Sequence, residues 1–356
     1  MILNYEKILF IPKKLIDNKI KVKKKMHIPD GLLDPATIII LWIIVIAVMI
    51  LGYFKMGKFF EKEDSDKLIP YIGVLAAVIF AFQFVNYPVP GGTSGHLIGG
   101  TLVAVILGPW ASVIILFLVL IVQSLFGDGG ILALGANAFN MGIIGGMIGF
   151  YIVVFIVKIL KKTSIRKEMK VTIATAIGSY ISIVLASFIC GIEISISGAV
   201  PVEIAIPAMV YWHLLIGIGE AIISALIVFY IYKVKPEIIM TESTMTEKVI
   251  TINISKYKKP IISIFAVIAV LMLMIAVGFT IGILSDAPDG LERVLIDQNS
   301  ESWLESLVSP WEPIFSWITS DYGAAILGIA VSVILMSSAF YLIIRYKKKN
   351  SISIVQ

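Results

Sequence analysis

Nine apolar runs separated by polar breaks constrain this chain more than any other feature. They fall at about residues 36–54, 69–87, 97–107, 111–126, 136–157, 171–190, 206–231, 260–284 and 323–344. A helix needs about 20 such residues to cross a bilayer core, where every backbone N–H and C=O must be satisfied within the segment. Most of the runs meet that length. The third is short and ends at Gly108-Pro109-Trp110, so it reads as a half-span or a re-entrant piece, the least secure of nine expected crossings. The expected fold is an all-α polytopic integral membrane protein. Composition agrees: 58% of residues are hydrophobic and 15% charged, with a mean hydropathy of +0.97, which excludes an ordinary soluble domain. A lone Cys190 excludes a disulfide framework or a multi-thiolate metal cluster. The net charge of +5 records orientation in lipid and points to no nucleic-acid partner.

Basic residues assign the two faces. Lys55–Lys67, Lys158–Lys170, Lys233–Lys259 and Arg345–Lys349 mark one alternating set of breaks, whereas the other set (88–96, 127–135, 191–205 and 285–322) carries only Arg293. The basic set is cytoplasmic by the positive-inside rule, which leaves His27 and His96 outside and the C-terminus inside. The first 25 residues conflict with this pattern, because eight lysines from Lys7 to Lys25 would then lie outside. They contain no apolar core of the secretory type. Translation starting at Met26 removes the conflict.

That start has a chemical consequence. The α-amine of Met26, the backbone nitrogen of His27 and the His27 Nδ1 form two fused chelate rings, and His96 supplies a fourth nitrogen. Planar nitrogen sets suit Ni(II) or Cu(II) and accommodate Co(II), whereas zinc prefers a tetrahedron. The amine and amide must lose protons, so binding weakens in acid. Pro29 and Asp30 would stiffen the arm, with Asp30 a candidate acceptor for a His27 ring nitrogen. Against this, a histidine near a chain start is usually a solvated surface residue. His96 has the stronger individual case, because irregular Gly-rich backbone at membrane depth lines cavities.

Met26-His27-Ile28-Pro29-Asp30-Gly31, Pro88–Gly100 with Gly108-Pro109-Trp110, Phe126-Gly127-Asp128-Gly129-Gly130 through Asn137 and Asn140, and His213–Glu220 together resemble the substrate-capture membrane subunits of energy-coupling-factor nickel and cobalt importers (the NikM/CbiM family). The resemblance runs from Met26 to about residue 232. It implies metal ligation by Met26, His27 and His96, with Ni²⁺ or Co²⁺ as transported substrate and no permanently bound cofactor. It also implies a transmembrane coupling subunit and a pair of ATP-binding cassette ATPases on other chains. The 25 residues before Met26 depart from the family pattern.

Other polar residues have simpler readings. Asp128, Asn137 and Asn140 are expected to cap a Gly-rich turn rather than ligate. Thr93 and Ser94 flank His96 as supporting candidates. Gly142, Gly145, Gly146 and Gly149 give overlapping small-xxx-small steps for close helix approach. Cys190 reads as a small buried residue. His213 and Glu220 share a helix face, where a mutually satisfied pair or a supporting role outranks ligation.

The division expected is a basic extension (1–25), a metal-capture domain (26–232), a cytoplasmic linker (233–259) and an accessory domain (260–356) with two spans and a large outer loop. Asp286, Asp289 and Glu292 in that loop permit a weak carboxylate site, but a solvated Pro-Asp-Gly turn is the simpler expectation. Ala287–Glu292 between two spans is similar to the small accessory subunit of these importers (the NikN/CbiN type), here fused, and such fusions lean toward nickel. Trp303, Trp311 and Trp317 suit an interfacial anchor.

Two rival motifs remain. Gly52–Phe59 has the glycine and lysine spacing of a P-loop but lacks the hydroxyl for Mg²⁺ and a preceding strand, so ATP hydrolysis is assigned to other subunits and this chain is read as no enzyme. Gly92-Thr93-Ser94-Gly95 has the form of a rhomboid-like intramembrane serine protease motif, with His213 as a conceivable base. A passive metal channel is the third class.

Overall fold

The computed structural model describes residues 26–60, 69–234, 236, 239–240, 278, 284–285, 287–307, 309–318 and 320–355. The extension 1–25, most of the linker, most of the run at 260–284 and Asp286 lie outside the described residues. Helix α1 (Pro35–Phe60) begins where Asp34 Oδ1 accepts the N–H groups of Ala36 and Thr37, with Pro35 in the first turn. A side-chain cap and a proline whose missing N–H costs nothing there define the start. Gly52–Phe59 lies inside this helix, so the P-loop spacing has no loop to act in.

Helix α2 (Ile69–Phe84) leads into an antiparallel hairpin of β1 (Tyr87–Val89) and β2 (Thr93–Gly95), in register Val89↔Thr93 and Tyr87↔Gly95. Gly91 turns the hairpin at φ +91°, and a methyl there would meet the Trp212 ring at 2.9 Å; both the backbone and the space demand glycine. The hairpin feeds α3 (Gly100–Leu107), then α4 (Pro109–Leu125). At about 1.5 Å per residue α3 covers about 12 Å, well under the bilayer core. The third apolar run therefore forms a helix too short to cross by itself, the half-span of the readings offered for it. The hairpin and the chain leading into α3 are tied down by polar contacts to Glu220, Ala287 and Pro288.

A rod from Leu134 to Leu160 follows as α5 (Leu134–Ala138), a π-helical stretch (Phe139–Ile148) and α6 (Gly149–Leu160). The π stretch is long for its kind, and the sequence shows no sign of it. Its glycines sit against neighbours: Gly142 on Val113, Gly146 on Ser112 and Gly149 on Thr101 and Ser182. Close approach within the bundle is thus their role. Helices α7 (Lys167–Ile196) and α8 (Val202–Val234) form a long antiparallel pair, with Gly191 against the Ile206 backbone.

The C-terminal part contains α9 (Gly290–Gln298), α10 (Glu301–Ser306) and α11 (Asp321–Val355). Phe80 of α2 lies over Gly328 of α11, and Ser337 of α11 faces Gly73. The Phe315 N–H donates to the Leu125 carbonyl, and the Phe126 and Phe315 rings sit 4.8 Å apart. Among the described residues five helices are long and apolar enough to cross a membrane (Pro35–Met56, Leu134–Leu160, Lys167–Ile196, Val202–Val234 and Tyr322–Tyr346), and Ile72–Phe84 and Pro109–Leu125 are shorter apolar helices. Large apolar side chains such as Phe54, Phe155, Leu226 and Leu342 point outward. A surface of that kind is stable in lipid, where apolar side chains need no burial inside the protein.

Candidate metal site

The arm from Met26 to Gly31 is held by fixed polar contacts. Asn137 clamps Ile28 on both sides: its Oδ1 accepts the Ile28 N–H at 3.0 Å and its Nδ2 donates to the Ile28 carbonyl at 3.0 Å. The Gly130 N–H donates to that carbonyl too. Asp30 accepts from the N–H groups of Ile131, Leu132 and Ala133 and from the Ser309 hydroxyl. A side chain at Gly130 would overlap the Asp30 carboxylate. These contacts bring Met26 and His27 inside, at 6% and 4% exposure, and so exclude the solvated-histidine reading. The Met26 nitrogen donates to Asp128 Oδ1 at 2.9 Å, and His27 Nε2 donates to Gln123 Oε1 at 3.1 Å. With Nε2 engaged by Gln123, chelation by this residue would use Nδ1 together with its own backbone nitrogen.

His96 arrives from the opposite direction, between β2 and the half-helix. Glu220 of α8 holds that approach by accepting the N–H groups of Ile98 at 2.6 Å and Gly99 at 3.0 Å. The His27 and His96 rings come to 5.3 Å, nearly perpendicular at 79°. Burial, then the nearby His27 and His213, holds the His96 imidazole well below its usual 6.5, so it stays neutral and its lone pair is available. Burial raises the Asp128 carboxyl, opposed by His27 and by the backbone N–H groups of Met26 and His27. Both rings open onto one cavity, whose lining includes Met26, Asn140, Cys190 and His213. Among the described residues no three His, Cys, Asp or Glu side chains converge as a metal cage. A cation held here needs the backbone nitrogens of Met26 and His27 as well as the rings.

Several expectations require correction. Asp30 does not orient His27, because its carboxylate is committed to three N–H groups and Ser309; Gln123 takes that place. Asp128 grips the arm rather than capping its own turn. Asn137 clamps Ile28, and Asn140 donates to Glu193 at 2.7 Å. His213 and Glu220 are not a pair, since His213 Nδ1 bonds the Met209 carbonyl at 2.7 Å while Glu220 serves the half-helix; two helical turns keep them apart.

The outer loop is not a solvated turn. Asp289 is 2% and Glu292 7% exposed, and the two form a capping box at the start of α9. Pro288 accepts from the Ser94 N–H and the Thr93 hydroxyl, and Ala287 accepts from the Ser94 hydroxyl. The Ser94 oxygen also accepts from Asn86, so the protease nucleophile is spent on holding the accessory segment. Asp289 Oδ2 lies 3.8 Å from His96 Nδ1. The overlooked residue is Gln123, read only as part of an apolar run; the placement beside His96 is what the sequence reading missed for Asp289, named there only in a weak carboxylate site. One signal was present for the latter: residues 29–32 and 288–291 both read Pro-Asp-Gly-Leu.

Comparison with known proteins identifies the family. Residues 27–238 match the CbiM family model, described as the cobalt uptake substrate-specific transmembrane region. A relative in Methanocaldococcus jannaschii, named as a metal transport protein, is 37% identical over 223 residues, covering 60% of this chain and 94% of that protein. One in Archaeoglobus fulgidus, named as a fused nickel transport protein, is 38% identical over 217 residues, covering 60% of this chain and 68% of its own length. A crystal structure of a transition metal transporter is similar with a TM-score of 0.51 and 36% identity, covering 63% of this chain and all of that one.

Proposed function

Because this chain belongs to the CbiM family of cobalt-uptake substrate-specific transmembrane regions, we propose that it captures Ni²⁺ or Co²⁺ from outside as the substrate-specific membrane component of an energy-coupling-factor importer. The single observation carrying the site assignment is the meeting of two buried imidazoles from distant segments, 5.3 Å apart, beside the Met26 nitrogen. The ligands are the Met26 amine, the backbone nitrogen and Nδ1 of His27, and a ring nitrogen of His96. An amine, a deprotonated amide and two neutral imidazoles around a dication leave one positive charge, which the adjacent Asp128 offsets. While the amine lone pair faces the metal, one of its N–H groups donates to Asp128. A planar nitrogen set favours nickel, and cobalt fits the same donors.

The ligand set requires a free amine at Met26. The lysine distribution supports an outward site and a cytoplasmic C-terminus. Movement across the membrane is assigned to a separate transmembrane coupling subunit and an ATPase pair, a reading supported by the helical, loop-free form of the P-loop-like spacing Gly52–Phe59. The test joins N-terminal sequencing of the mature protein to equilibrium nickel titration in detergent. The expected result is a chain starting at Met26 that binds one ion, with affinity reduced at least 100-fold in His27→Ala and in His96→Ala. A chain starting at Met1 that binds undiminished with both rings replaced overturns the reading.

A further inference from the structure

We propose that Asp289, carried by the accessory segment, positions His96 for the metal by accepting its Nδ1–H, so that Nε2 is the ligating nitrogen. The inference rests on the metal-site reading above. His96 Nδ1 is buried and has no hydrogen-bond partner. Asp289 Oδ2 faces it at 3.8 Å, and the side chains are 13% and 3% exposed. An unsatisfied imidazole nitrogen in a dry site is costly, and a ligating histidine nearly always gives its other N–H to a carboxylate, a carbonyl or water. Asp289 is aimed by more than its own backbone. Its Oδ1 accepts the Glu292 N–H at 2.8 Å, which fixes the rotamer and leaves Oδ2 toward His96. Pro288 and Ala287 are pinned to Thr93 and Ser94, on the strand that delivers His96. The accessory segment and the histidine are thus held to the same edge, and closing the gap to hydrogen-bond length needs about 1 Å of movement.

This arrangement makes the two parts of the chain one site. His27 is oriented from the core by Gln123, and His96 from the accessory segment by Asp289. Each ring is presented by an acceptor on its far nitrogen, and the two near nitrogens are left to share one cation.

The experiment uses the full chain in detergent. Asp289→Ser keeps an N-cap for α9 but cannot reach His96. Asp289→Asn keeps the cap and an acceptor oxygen. Nickel affinity is expected to fall about 10- to 100-fold in Asp289→Ser and to recover at least partly in Asp289→Asn. Histidine ¹⁵N NMR of the metal-free protein should show His96 as the Nδ1–H tautomer in the natural chain and a mixture in Asp289→Ser. An Nε2–H tautomer, or unchanged affinity and tautomer in Asp289→Ser, overturns the proposal. Retained binding in His96→Ala would sink the metal-site reading instead, so the two failures are distinguishable.

Discussion

At the residue scale, the proposed site depends on acceptors that would not touch the ion. Gln123→Ala removes the Oε1 that receives His27 Nε2–H, freeing the ring to take either tautomer. Nickel affinity should drop about 10- to 100-fold with little change in folding, measured by competition against a chelator. Acid acts through a different group. His96, held well below its usual 6.5, refuses a proton that the unfolded chain accepts. Its contribution to stability is therefore present above about pH 6.5 and is lost as pH falls below that value. Thermal unfolding of the metal-free protein in detergent should shift down between pH 7.5 and 5.5, and the shift should shrink in His96→Gln. Metal loading falls over a similar direction of pH for a separate reason, protonation of the amine and amide.

At the element scale, the half-helix α3 is the feature on which the outer architecture turns. It starts among buried residues, so the N–H groups leading into it at Ile98 and Gly99 need a protein acceptor. Glu220 supplies the acceptor from α8, its two oxygens taking the Ile98 and Gly99 N–H groups just ahead of the helix. Glu220→Ala leaves two N–H groups in a dry environment at several kcal/mol each. Protein yield and the detergent melting temperature should both fall sharply, whereas Glu220→Gln should recover part of each. The Asn137 clamp makes a milder prediction. Asn137→Ala unpairs Ile28 at both its N–H and one of its carbonyl bonds, costing about 1–3 kcal/mol per lost partner, and should loosen the arm, read as faster hydrogen exchange at residues 26–30.

At the scale of the whole molecule, core and accessory parts are packed as one body. Helix α11 lies along α2 through Phe80 on Gly328 and Ser337 on Gly73, and Asp289, Gly290 and Leu291 line the cavity that His27 and His96 share. A chain divided between residues 241 and 256 should therefore copurify as two pieces. Gly328→Leu, which places a side chain into the Phe80 ring, should separate them. Size-exclusion chromatography of the divided protein reads both results. Independent migration of the pieces without that substitution would contradict the packing described here.

The sequence by itself determined the membrane class, the short third run and the three metal-ligand positions as expectations, because each is written locally. Apolar length, a proline or glycine break and a histidine beside a glycine-rich turn need no partner to be recognised. What the tertiary structure alone decided was the assignment of polar partners. Asp30, Asp128, Asn137 and Asp289 are all short acidic or amide side chains near turns or helix ends, and nothing local distinguishes a residue that caps its own turn from one that clamps a segment a hundred residues away; Glu220, inside α8, gives no local sign of the N–H groups it meets. A hydrogen-bond acceptor is defined by the donor it meets, and that meeting is fixed only when the helices pack.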